Sequence, residues 1–167
     1  MKIPPNFFVL ISPPDEVIEY VSFLKKLIRK SIGHVYDSFY STAHLTLFQY
    51  YDFHNESKLY TFQERISCVE PFYIHIDGLK AFHNNRTIFL DIKFFHQVCG
   101  LVKQLGHSIN YPHITIAKNL PPRDFNLVWP ELQKFSYRNY FICDRVTVLK
   151  RINNRWTEHI ELFLTCL

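Results

Sequence analysis

Two short strings at a fixed separation constrain this chain more than any other feature. His44-Leu45-Thr46-Leu47 and His113-Ile114-Thr115-Ile116 each carry a His and a Thr two residues apart, with apolar residues between and after. On a β-strand, residues i and i+2 point to the same face. Each string therefore sets an imidazole beside a hydroxyl while its Leu or Ile residues face a core. The strings lie 69 residues apart, and the triplets Asn84-Asn85-Arg86 and Asn153-Asn154-Arg155 have the same offset. That offset points to a duplicated unit with one His and one Thr in each half. Halves that face each other would bring the two His together as an acid/base pair.

A single His-x-Thr carries little weight. With 9 His and 8 Thr in 167 residues, chance supplies roughly 0.4 such pairs. The apolar flanks, the shared strand context and the common offset give the matched pair its weight.

The elements read along the chain agree with a repeat. An apolar run at 6–12 precedes Pro13-Pro14 and reads as a strand. Residues 15–29 show helical spacing, with Val17, Tyr20, Val21, Leu24, Leu27 and Ile28 on one stripe and Gly33 beyond as a stop. Strands are expected at 43–51, 71–79 and 87–92, a helix at 56–69, and a hairpin turn at His83-Asn84-Asn85-Arg86. The second half predicts a helix at 94–105, a strand at 113–118, a loop opening at Pro121-Pro122, and a helix at 125–135 broken by Pro130. One long strand at 140–150, a turn at Asn153-Asn154 and a strand at 159–164 complete it. The expectation is one α+β domain over residues 1–167. It would have two similar lobes of mostly antiparallel sheet with helices packed outside.

Composition narrows the function classes. The chain carries 19 Lys and Arg against 15 Asp and Glu, a net charge of +4. This suits an anionic ligand but falls short of a broad nucleic-acid footprint. Aromatic residues make up 17%, with 16 Phe and 10 Tyr; most belong to a core, and a few exposed rings would suffice to stack on nucleobases. The four Cys at 68, 99, 143 and 166 have no C-x-x-C spacing, which reads as reduced thiols in a cytoplasmic protein without a zinc cluster. No secretory leader is expected from the first residues, and no apolar run reaches the length of a membrane span.

The chemistry of the two motifs is that of phosphodiester cleavage. Opening a phosphodiester without a metal requires a base for the nucleophile, an acid for the leaving oxygen and donors for the phosphoryl oxygens. His44 and His113 supply the first two, and Thr46 and Thr115 the third. Lys118 could pair with a phosphate. Tyr111, two residues before His113, could face the same side. Arg86 and Arg155 adjoin turns, and Phe82 and His83 border one where a base could be met. The remaining His residues, His54 included, have no matched partner and read as structural or surface groups.

These motifs resemble those of the two-histidine (2H) phosphoesterase superfamily, and most closely its branch of 2′-5′ RNA ligases and RNA 2′,3′-cyclic phosphodiesterases. The string His113-Ile114-Thr115-Ile116-Ala117-Lys118 is similar to the second motif of that branch, with Lys118 where an Arg often stands. The resemblance implies a bilobal fold with a central cleft lined by His44, Thr46, His113 and Thr115. It also implies metal-independent, cofactor-free cleavage of a cyclic phosphate on RNA or a nucleotide, and ligation by the reverse reaction. His44 would be the general acid and His113 the general base, an order that the near-symmetry of the motifs leaves open. A monomer is expected. Two other readings use the same residues: a non-catalytic RNA- or nucleotide-binding module, and a metal-dependent hydrolase with His44 and His113 as ligands. The second lacks a carboxylate or Cys at ligand spacing near either motif.

Overall fold

A computed structural model describes residues 5–52 and 57–165. His54, Cys166 and the expected helix start at Glu56 lie outside the described residues. The elements run β1 (Phe7–Ile11), α1 (Asp15–Ile32), β2 (Leu45–Tyr50), α2 (Ser57–Ile66), β3 (Phe72–Phe82), β4 (Thr87–Lys93), α3 (His96–Gln104), β5 (His113–Ala117), α4 (Pro122–Leu132), β6 (Arg138–Cys143), β7 (Arg145–Ile152) and β8 (Arg155–Phe163). The fold is α+β, and the strands form one antiparallel sheet in the order β6-β3-β4-β5-β2-β1-β7-β8.

The helix α1 follows its sequence signals closely. Asp15 and Glu16 occupy its first turn and Arg29 and Lys30 its last, each on the favourable end of the helix dipole. Gly33 ends it in the left-handed region at φ +80°, with its N–H on Arg29 O at 2.9 Å. The buried stripe Val17, Val21, Leu24 and Ile28 packs into the same core as Val9, Ile11, Leu45, Leu47, Ile114, Ile116, Val146 and Val148 of the sheet.

Three local expectations are corrected. The long strand expected at 140–150 is two strands, β6 and β7, with Asp144 between them. They sit at the first and seventh places of the sheet, six strand spacings apart, or about 29 Å if the sheet were flat. A single intervening residue bridges at most about 7 Å between the flanking Cα atoms. The sheet is therefore strongly bent, bringing β6 and β7 end to end. A phase slip marks the break: buried positions are Phe141 and Cys143 before Asp144, then Val146 and Val148 after it.

Pro130 does not break α4. It falls in the last turn of the helix, where the carbonyl its missing N–H would have served belongs to the exposed Asn126 and can be solvated. Pro122, expected in a loop, opens the helix as its first residue, the position where a missing N–H costs least.

The strand β3 runs on to Phe82 through an irregularity between Ile76 and Leu79, where Gly78 takes φ +82°. Ile76 and Ile92 pair on the core face, whereas beyond the bulge Lys80 pairs with Phe89. The extra residue thus turns Lys80 and Phe82 to the opposite face, the one that carries the His-Thr pairs.

The 69-residue offset holds for β2 against β5 and for the two hairpin turns, but not for the strand order. Between β5 and β3 lies β4, the hairpin partner of β3; between β2 and β7 lies β1, and β8 is outermost. The two Asn-Asn-Arg turns also differ. Asn153 and Asn154 both have positive φ, as a two-residue hairpin requires, while in the first turn the positive φ falls on Arg86.

The junction of β2 and β5 rests on one register pair, Leu45 with Ile114, both 0% exposed. Leu45→Ala should therefore cost about 2–5 kcal/mol, from lost burial plus a cavity at the seam. Urea denaturation should show a lower midpoint with an unchanged slope. Leu45→Met, of similar volume, should cost less than about 1.5 kcal/mol.

Candidate active site

The pair Leu45–Ile114 determines where the motifs meet. In an antiparallel register it sets His44 across from Thr115, and Thr46 across from His113, all four on the face opposite to the core. Directly facing side chains have Cβ atoms about 5 Å apart and diagonal ones about 7–8 Å. The result is a two-by-two array with the His residues on one diagonal and the Thr residues on the other. Thr46 is exposed and His44, His113 and Thr115 are half-buried, whereas Leu45, Leu47, Ile114 and Ile116 are buried. Neither Thr hydroxyl has a hydrogen-bond partner among the described residues, so both can donate to a ligand.

Both imidazoles are held by the same device. His44 Nδ1 lies 2.7 Å from Thr42 O, and His113 Nδ1 lies 2.7 Å from Tyr111 O. A carbonyl only accepts, so Nδ1 carries the proton in each ring and Nε2 is left for a substrate. Each ring is also braced edge-on by a Phe. The Phe8 ring stands 5.3 Å from His44 at 89°, and the Phe82 ring 5.2 Å from His113 at 85°.

Tyr111 enters the site through its backbone. Its hydroxyl donates to Asp91 Oδ1 at 2.7 Å, and Lys80 Nζ lies 2.7 Å from Asp91 Oδ2. Asp91 is buried and stands across from His113 in the β4–β5 register. The carboxylate thus fixes the tyrosine whose carbonyl orients His113. Burial and the Asp91 carboxylate push the Tyr111 phenol up, so it stays protonated. Lys118 is exposed, and its N–H donates to Ser38 Oγ at 3.0 Å; no hydrogen bond joins its ammonium to the array. Arg86 braces the chain, with Nε on Leu120 O at 2.6 Å.

Lys25, which the sequence reading did not single out, anchors the segment that delivers His44. Only 4% exposed, it donates to Ser38 O at 2.5 Å, Ser41 O at 2.6 Å and Ser41 Oγ at 3.1 Å. Ser38 Oγ and the Tyr36 hydroxyl in turn reach Ile116 O on β5, at 3.5 and 3.4 Å. One segment thereby ties α1, the approach to β2 and the end of β5 together. Burial lowers the Lys25 ammonium to about 8. His44 is lowered from the usual imidazole range by burial, against the support of Thr42 O, and further by the charges of Lys25 and His113. The signal for Lys25 lay in its phase. It stands four residues after Val21 and three before Ile28, on the apolar stripe of α1. Asp91 has a similar signature, a lone charge inside the apolar run of β4.

Among the described residues, no three or more His, Cys, Asp or Glu side chains are gathered as metal ligands, and no helix is long and apolar enough to cross a membrane. Beside His44 the array opens into a cleft of about 430 Å³ between β1, β7, β8 and residues 41–43.

Replacing Lys25 by Met removes a positive charge that acts on His44 throughout the imidazole titration range, since Lys25 stays largely protonated below about pH 8. The titration midpoint of His44 in Lys25→Met, followed by NMR of the imidazole, should move upward. An unchanged His44 midpoint would show that the ammonium does not act on it.

Comparison with known proteins shows the family and the fold. A family model described as the 2′-5′ RNA ligase superfamily matches residues 13–155. No curated protein sequence matches the chain. Among solved structures, TT0787 of Thermus thermophilus has a TM-score of 0.71 at 16% identity, over 96% of this chain and 98% of that one. E. coli LigT in its apo form has a TM-score of 0.64 at 16% identity, over 98% and 99%. LigT complexed with 3′-AMP has a TM-score of 0.66, also at 16% identity and over 98% and 99%. The solved structures share the fold, the family match covers most of the sequence, and the chain belongs to the 2′-5′ RNA ligase superfamily, the 2H phosphoesterases.

Proposed function

We propose that the protein is a metal-independent phosphodiesterase that opens a 2′,3′-cyclic phosphate, or a related phosphodiester, on RNA or a nucleotide. The observation that carries this reading is the shared lock on the two imidazoles. Each Nδ1 is committed to a carbonyl two residues upstream, so two Nε2 atoms on one diagonal and two Thr hydroxyls on the other remain for one tetrahedral phosphate. One Nε2 takes a proton from water as its oxygen bonds to phosphorus. The other protonates the ribose oxygen as its bond to phosphorus breaks. Thr46 and Thr115 donate to the phosphoryl oxygens as charge builds on them. With a ribose 5′-hydroxyl in place of water, the same groups open the cyclic phosphate to a phosphodiester as the ribose 3′ oxygen leaves and is protonated, which is 2′-5′ ligation.

Following the family resemblance, His44 is the acid and His113 the base. An acid must hold its proton before the reaction. Burial and the Lys25 charge oppose that in the free enzyme, whereas the anionic phosphate between the rings favours it. The LigT structures with 3′-AMP and with phosphate support a nucleotide phosphate as the ligand of this fold.

Chelator-treated protein should open cyclic phosphate substrates. His44→Ala and His113→Ala should each lower kcat by about 10²–10⁴, the usual worth of a positioned acid or base. Turnover like wild type in either variant would remove that His from the mechanism. Thr46→Val and Thr115→Val should each cost about 1–3 kcal/mol in kcat/KM while folding normally, because Val is as good a strand former. The pH profile of kcat/KM decides the order of the two His. In Lys25→Met the limb that belongs to His44 moves upward. Movement of the alkaline limb fits His44 as acid, and movement of the acidic limb reverses the assignment.

A further inference from the structure

The cleft beside His44 has a composition that the two-histidine chemistry does not use. Its floor is apolar, made by Phe8, Leu10 and Leu149, and its outer wall is Trp156 with Glu158, two residues apart on β8 and so on one face of that strand. The Phe8 ring lies 5.3 Å from the His44 ring and 5.5 Å from the Trp156 ring. One aromatic ring thus touches both the imidazole and the indole. Ser12 Oγ and Thr147 Oγ1, 3.1 Å apart, also line the cleft. Glu158 is exposed and has neither a hydrogen bond nor a cation partner among the described residues.

We infer that this cleft is a nucleobase subsite that selects guanine on the nucleoside whose phosphate lies at the two His. The inference rests on the phosphodiesterase reading for the place of the phosphate only. An indole, 38% exposed, offers a face on which any base can stack. The carboxylate makes the choice. Ionised, it has acceptors only, and guanine alone presents two adjacent donors, N1–H and the N2 amino group, to both of its oxygens. Adenine and cytosine offer one amino donor beside an acceptor, which would be set against the second carboxylate oxygen, and uracil offers one imide donor between two carbonyls. A carboxylate next to the phosphate would repel it. Glu158 avoids this by standing on β8, beyond Phe8, three strands away from β2 in the sheet. The Ser12 and Thr147 hydroxyls suit the ribose that links base and phosphate.

The test is calorimetric binding of guanosine, adenosine, cytidine and uridine 3′-monophosphates to the wild-type protein, Glu158→Gln, Trp156→Ala and Trp156→Phe. Glu158 is exposed on an edge strand, so Glu158→Gln should fold; thermal unfolding checks all three variants. The guanosine nucleotide should bind about 10- to 100-fold more tightly than the others, the worth of paired hydrogen bonds to a charged group. Glu158→Gln should abolish that preference, because an amide offers one acceptor and one donor and pairs with the amino-and-acceptor edge of adenine or cytosine as well. Trp156→Ala should weaken all four about 5- to 150-fold, and Trp156→Phe should retain most of the affinity. Equal binding of the four nucleotides, absence of binding, or a guanine preference that survives Glu158→Gln would overturn the inference. Turnover of the four 2′,3′-cyclic nucleotides by wild type separates the two proposals. Guanine-selective binding without turnover removes the phosphodiesterase reading and keeps the subsite. Turnover with no base preference does the opposite.

Discussion

The site depends on the seam between β2 and β5. A single register pair, Leu45 with Ile114, joins the two four-stranded parts of the sheet and sets all four motif side chains. Because side-chain orientation along a strand has period 2, a slip of one residue would turn one His-Thr pair into the core. So short a ladder is weakly specified by its own hydrogen bonds. The register is supported instead from the side. Lys25 holds the carbonyls of Ser38 and Ser41, and Ser38 and Tyr36 reach across to Ile116. On the other flank, β4 fixes β5 through four register pairs, including Asp91 with His113.

The two halves of the array are alike in how each imidazole is held. Both imidazoles give Nδ1–H to the carbonyl two residues upstream, and both are braced by a perpendicular Phe. They differ in what stands behind them. An ammonium held by carbonyls, with no carboxylate against it, lies behind His44, and a carboxylate satisfied by Lys80 and Tyr111 lies beside His113. A positive charge near one imidazole and a neutralised group near the other give two similar rings different surroundings. The near-identical motifs alone do not supply that difference.

Much of the sheet was legible because strand alternation and turn residues are local. The stripe and Gly33 stop of α1, the hairpin turns at Asn84-Asn85 and Asn153-Asn154, and the motif strands all follow from neighbours within a few residues. The failures are places where a distant partner decides. Nothing local requires the run through Asp144 to leave one edge of the sheet and enter near the other; the bend that permits it comes from the whole sheet. Phe8 reads as one residue of an apolar run and Phe82 as the neighbour of a turn. Both become braces because β1 and the bulged end of β3 bring them to the imidazoles. Tyr111 was noted for its side chain and acts through its carbonyl.

The sequence by itself determined the chemical inventory: two His and two Thr on strand faces, the α+β class, and the membership that the motifs announce. These are consequences of covalent order and of a period-2 pleat, which need no long-range partner. The tertiary structure alone decided that the pairs meet on a diagonal, which ring nitrogen is free, and which charges act on each ring. It also decided that Trp156 and Glu158, more than a hundred residues from His44 in the chain, share its cleft. Those facts depend on sheet order and register, set by burial and backbone pairing summed over the whole chain, and no window of neighbouring residues contains them.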